Sequence, residues 1–237
     1  MASSAKYQYA LDSKTKQFVN VEELGEEDRK RDFNCLDCGN EVIPVMGEIQ
    51  QRHFRHKVDI ICEFLPTTDP QPAFLTIFKQ WFRLAETVQS AKAKSELLVS
   101  PILAEVVQLT QKRVQLFSGE EFNVDLDRGL DGVVDFLLSK STTPYLIEAP
   151  SVMLVEADKE GLDLGWGQCV AQMIAAQKFN TRKGNEISAI YGSVTNGKLW
   201  QFLKLEGKDV TIDRHEYYVT PVERILGILK WMVDEQA

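Results

Sequence analysis

The sequence predicts an α/β fold: a sheet flanked by helices over most of the chain, preceded by a small β-rich module. Three observations carry this. Helical and strand periodicities alternate from residue 73 to the end. A proline-rich stretch, PTTDPQP at 66–72, holds no large apolar residue and reads as a linker. Ahead of it, short polar segments carry clustered cysteine and histidine. The expected division is therefore a small module over 1–65, a linker over 66–72 and a larger domain over 73–237.

In the first module, YQYALD and QFVNV read as strands of a hairpin around SKTK, and EELGEEDRKR as a solvated loop or short helix. The apolar EVIPV follows, then the basic QQRHFRHK. A segment this short has little core of its own and calls for a staple.

In the larger domain, Phe74, Phe78, Trp81, Ala85 and Val88 share one helical face. Ser100-Pro101 reads as an N-cap with proline at the first helical position, opening a second helix with Ile102, Val106 and Leu109 inward. VQLF, FNVDL and VVDFLLS read as strands separated by turns at Ser118-Gly119 and Arg128-Gly129. VMLVEA, almost wholly apolar, suits a buried central strand. A helix is expected over about 165–179. ISAIYGSV and LWQFLKL form a hairpin about Asn196-Gly197, VTI adds an edge strand, and a final helix runs from Pro221 to about Asp234.

The formal charge of −8 argues against broad non-specific adhesion to nucleic acid but leaves room for a local basic patch. No apolar run approaches the ~20 residues of a membrane span, and the N-terminus lacks a signal-peptide core. A cytoplasmic protein with no membrane partner is the expectation.

The chain has four cysteines and three histidines. Cys35 and Cys38 form a CxxC pair, and His53 and His56 follow. In a reducing compartment this cluster points to structural Zn²⁺ bound by two thiolates and two imidazoles. Cys62 is an alternative fourth ligand, because His-x2-His is tighter than the usual helical spacing. The CxxCG and HFxH pattern of Cys35, Cys38, Gly39, His53, Phe54 and His56 resembles the zinc-finger-like N-terminal region of CoiA-type competence proteins, which precedes a nuclease-like domain.

Two acids stand inside apolar strands: Asp135 in GVVDFLLS and Glu156 in VMLVEA. Burying a carboxylate there is costly unless it is paired or metal-bound, which marks both as functional candidates. Carboxylates on neighbouring strands suit a hard cation such as Mg²⁺ (or Mn²⁺) beside a scissile phosphate.

The blocks SELLVSPIL, LFSGEEFNVD, GLDGVVDF, VMLVEADKE, GWGQCVAQMIAAQKFN and IYGSVTNGKLWQFLKLEG, in this order, resemble the PD-(D/E)xK nuclease superfamily, and more closely a prokaryotic family of restriction-like proteins. The resemblance spans roughly residues 95–230. It implies a restriction-endonuclease-like mixed sheet, Mg²⁺-dependent cleavage of DNA, and a role in restriction or defence. It makes Asp135 and Glu156 the metal acids, sets Gln168 near the site, and matches Glu96 to an acid that sometimes joins the metal shell. The family reads E-A-K-K-E where this chain reads Glu156-Ala157-Asp158-Lys159-Glu160. The lysine expected two residues after Glu156 is Asp158. By strand alternation Asp158 faces the site and Lys159 faces away. Lys159 swings in, another lysine substitutes, Asp158 becomes an extra ligand, or the site binds metal and cleaves poorly. That last option leaves a protein that binds nucleic acid or a protein partner on a nuclease fold.

The remaining candidates read more simply. Asp125, Asp127 and Asp131 are expected as solvated turn acids, Cys169 as core, and His215 as a surface residue. Phe74, Phe78, Trp81 and Phe82 suit helix packing or a dimer seam, and a two-fold homodimer fits a duplex-cutting enzyme by analogy. Arg52, Arg55 and Lys57 form a short basic stretch, either a solvated face or a phosphate contact.

Overall fold

A computed structural model describes residues 9–15, 17–35, 41–46, 52–57, 67–88, 90–157, 162–185 and 187–235. Two compact units result, Met1–Leu65 and Pro66–Ala237. Cys38, Cys62, Asp158 and Lys159 lie outside the described residues, as do the side chains of His53, Arg55 and His56.

The first unit is a five-stranded antiparallel sheet of β1 (Tyr9–Asp12), β2 (Phe18–Asn20), β3 (Phe33–Asn34), β4 (Glu41–Val45) and β5 (His53–His56), in the order β2-β1-β3-β4-β5. Two short 3-10 turns, Val21–Glu23 and Glu26–Lys30, occupy the acidic stretch. The core is small and includes Val21, Phe33, Cys35, Val42 and Phe54, with the Phe33 and Phe54 rings 5.1 Å apart. Asp12 closes the first hairpin. Its carboxylate accepts from the amides of Lys14 at 2.9 Å and Thr15 at 2.7 Å, and from Arg31 Nε at 3.0 Å. These three donors hold the buried Asp12 carboxyl well below the usual carboxylate range, with the Thr15 amide the largest influence.

In the second unit, the proline-rich stretch is fastened down. The Thr68 amide donates to the Glu223 carbonyl at 3.0 Å, and the Gln71 amide to Glu105 Oε1 at 2.7 Å. Helix α1 (Pro72–Thr87) buries Phe78 and Ala85, while Trp81, expected inward, is partly exposed beside Ile77 and Leu84. The N-cap expected at Ser100 is absent. Ser90 caps instead, accepting from the Ala93 amide, and α2 (Ala91–Lys94) runs through a π-helical turn, Ser95–Val99, into α3 (Ser100–Leu109). Ser100 is itself helical and donates to the Ser95 carbonyl. The wider i→i−5 turn accommodates Pro101, which lacks an N–H and would crowd the carbonyl four residues earlier in an α-helix.

The sheet follows: β6 (Gln115–Glu121), β7 (Val133–Ser139), β8 (Ser151–Ala157), helix α4 (Leu162–Arg182), β9 (Ile190–Thr195), β10 (Leu199–Glu206), β11 (Asp209–Ile212), the short β12 (Tyr217–Tyr218), and helix α5 (Val222–Glu235). Its order is β11-β10-β9-β8-β7-β6, with β12 also paired to β10. Only β8 and β9 are parallel, joined by the α4 crossover, so the seven-stranded sheet is mixed. FNVDL is not a strand; it forms an irregular loop closed by an Asp125–Leu130 bridge and a 3-10 turn. Ser118-Gly119 lies inside β6, where Gly119 takes φ +68.

Alternation along β9 separates the two faces. A Cβ on Gly192 would meet Met173 and Cys169 of α4, whereas the adjacent Tyr191 packs against Trp231 of α5. The α4 face buries Leu137, Leu154, Cys169, Met173, Val194 and Leu203. Asn180, near the end of α4, exchanges two hydrogen bonds of 2.8 Å with the Ser151 backbone at the start of β8.

Candidate functional site

Strand register brings the two predicted acids together. Phe136 of β7 pairs with Val155 of β8, so the next position along sets Asp135 opposite Glu156. Asp135 shares a sheet face with Leu137, and Glu156 with Leu154; both leucines pack in the α4 core. The acids therefore face α4, at the end of β8 from which the crossover departs.

Each carboxylate is held. Asp135 Oδ2 accepts from the Ala157 amide at 2.9 Å, which fixes it against the last residue of β8. Glu156, only 7% exposed, accepts at Oε2 from Gln172 Nε2 at 3.1 Å. Gln172 Oε1 is buried and has no hydrogen-bond partner among the described residues. Gln172 also lines a cavity of about 290 Å³ together with Gln168, Asp131 and Gly132. The Cys169 thiol sits close by in the core. Burial, and then the charge of Glu156, push it up to about 12, so it stays a neutral thiol.

Gln172, missed by the sequence reading, is the glutamine bonded to Glu156. Gln168, one turn earlier on the same helix face, is exposed and lines the cavity. The signal was there in outline: residues four apart on a helix share a face, and α4 has glutamine at both positions. Glu96 lies on the π-helical turn, is exposed, and pairs with Lys92 at 3.1 Å. Asp125 is not simply solvated. Lys178 at 2.7 Å and Arg182 at 3.4 Å, both late in α4, reach it, and the Lys178 hydrogen bond lowers its carboxyl. Asp127 and Asp131 are exposed. His215 is exposed, with Nδ1 at 3.2 Å from Asp213 Oδ1.

The donors about Glu156 are hard oxygens: two carboxylates and an amide oxygen with no partner among the described residues. That set fits a cation such as Mg²⁺, which keeps several waters and takes only one or two protein carboxylates. Among the described residues, no group of three or more His, Cys, Asp or Glu side chains stands close enough to hold a metal ion. In the first unit, Cys35 directly follows β3 and His53–His56 form β5, two strands separated only by β4.

The fold and site define a mixed α/β protein with an acidic pair on two adjacent strands, Glu156 buried and Asp135 half-buried. No protein-family model matches the chain, and neither a curated protein nor a solved structure matches it. Among the described residues, no helix is long and apolar enough to cross a membrane.

Proposed function

We propose that the second unit is a restriction-endonuclease-like, metal-dependent phosphodiester hydrolase acting on DNA. The observation that carries the reading is the pairing of Asp135 with Glu156 on adjacent strands, with Gln172 holding the second acid from the crossover helix. Asp135 and Glu156 would hold Mg²⁺ or Mn²⁺; the bound cation supplies Lewis-acid polarisation of a phosphate and a more acidic water. The chain's own part is geometric. The Ala157 amide and the Gln172 amide fix the two carboxylates before substrate arrives, so little reorganisation is needed. Restriction or defence in the cytoplasm, as a homodimer, extends the same reading. We propose also that Cys35, Cys38, His53 and His56 bind structural Zn²⁺; about one zinc per chain by metal analysis supports this, and none removes it.

A second reading rests on Asp158, which stands where a lysine would stabilise developing charge. It is a protein that binds nucleic acid or a protein partner with little or no cleavage. Cleavage of single- and double-stranded DNA with Mg²⁺ or Mn²⁺ separates the two. The hydrolase reading expects cleavage by the wild type and loss of at least about a hundredfold in Asp135→Ala, since both acids serve one ion. An inert wild type that gains activity in Asp158→Lys refutes it in favour of the second.

A further inference from the structure

On the sheet face opposite the acids lies a groove of about 470 Å³, between β10–β11 and α5. Tyr191, Phe202 and Met232 line it, and Trp231, itself 44% exposed, flanks it. The volume is that of a small-molecule site. Two features mark it as more than an apolar dent. Tyr191 is 1% exposed, yet its hydroxyl has no hydrogen-bond partner among the described residues. Arg214, at the rim, makes no hydrogen bond or ion pair among the described residues, whereas the other rim charges are matched: Lys204 with Glu206 at 2.9 Å, and Asp213 with Tyr217 and His215.

Each feature selects a part of a ligand. Burial raises the Tyr191 phenol above its ordinary value, so the hydroxyl is a donor at neutral pH and needs an acceptor. The Trp231 ring meets Tyr191 edge to face, with centroids 5.8 Å apart, and its exposed part offers a surface for a flat ring. Arg214 supplies a fork of donors for an anionic oxygen. A planar ring bearing an acceptor and attached to an anion satisfies all three.

We propose that this groove binds a nucleotide, with the base against Trp231, an acceptor of the base on the Tyr191 hydroxyl, and the phosphate on Arg214. The same chemistry comes from a free mononucleotide or from one residue of a single strand. The site does not rest on the hydrolase reading, because Tyr191 and the acids face opposite sides of the sheet.

The test is calorimetric titration of the full chain with deoxyadenosine 5′-monophosphate, deoxyadenosine and a short single-stranded deoxyadenylate. Saturable nucleotide binding below about 1 mM is expected. Deoxyadenosine should bind about tenfold more weakly, since a charge-assisted contact is lost. Tyr191→Phe keeps the ring and should weaken nucleotide binding about fivefold. Arg214→Ala should erase the difference between nucleotide and nucleoside, and Asp135→Ala should leave binding unchanged. Binding of the strand alone, weakened by the same two variants, supports the proposal with the strand as source. Absence of saturable binding by wild type in every arm overturns it, as does binding indifferent to both Tyr191→Phe and Arg214→Ala. Neither outcome bears on cleavage.

Discussion

Asn180 ties the end of α4 to the start of β8, and removing it should be among the costliest single changes in the second unit. Its side chain is 1% exposed, and Ser151 is fully buried. The amide oxygen accepts from the Ser151 N–H and the amide nitrogen donates to the Ser151 carbonyl, each at 2.8 Å. Asn180→Ala strands a buried donor and a buried acceptor. Each such group costs about 1–3 kcal/mol, so the loss should be about 4 kcal/mol. For a unit of this size that corresponds to a fall in Tm of roughly 8–16 °C. All four tryptophans lie in this unit, so urea unfolding followed by tryptophan fluorescence reads it directly. Thr181→Ala, next door on the exposed side, is the control and should stay within about 0.5 kcal/mol. Asn180→Asp separates the two bonds. Ionised, it keeps the acceptor but sets a negative oxygen against the Ser151 carbonyl; protonated, it can donate again. Its folded-state pKa is raised, the unfolded state gives up its proton first, and the variant loses stability as pH rises. A loss under about 1 kcal/mol in Asn180→Ala, with an unchanged denaturant slope, would refute the reasoning.

Three further predictions follow from separate contacts. The depressed carboxyl of Asp12 contributes stability that is present above its unfolded pKa of about 3.9 and lost as pH falls below it; amide-exchange protection in β1 and β3 should fall in that window, and Asp12→Asn should flatten the dependence. A Cβ on Gly192 would lie 2.5 Å from Met173 Sδ and 2.8 Å from Cys169 Sγ, so Gly192→Ala should cost about 1–3 kcal/mol in urea unfolding, with partial recovery when Met173 is also shortened to Ala. Cys169, pushed up to about 12, should hold only about one thiolate in ten thousand at pH 8; in a variant keeping Cys169 as sole cysteine, native protein should resist a thiol reagent that reacts at once after unfolding.

Much of the architecture was legible because its periodicities are strong. The hydrophobic runs of VMLVEA and LWQFLKL gave β8 and β10, the Asn196-Gly197 turn joined β9 to β10, and the final helix expected from Pro221 is α5, with Ile225, Leu226 and Leu229 buried. Local reading failed where a neighbour outvoted propensity. Ser100-Pro101 has the composition of a helix start, but the π turn lets the helix run through it. FNVDL alternates like a strand, but Asp125 is drawn to Lys178 and Arg182 of α4, a contact across more than fifty residues of sequence.

By itself, the sequence determined that Asp135 and Glu156 sit in apolar strands, because a charge among β-branched and aromatic neighbours is visible without coordinates. It also determined that an aspartate, Asp158, stands two residues after Glu156, a matter of residue identity. Only the tertiary structure decided that the two acids are opposite one another, since strand register is set by the packing of Leu137 and Leu154 against α4. Only it decided that Gln172 is the glutamine that reaches Glu156, because the rotation of a helix about its axis is fixed by contacts such as Asn180 with Ser151. The groove at Tyr191 was likewise out of reach of the sequence: an unpartnered hydroxyl is a property of everything packed around it.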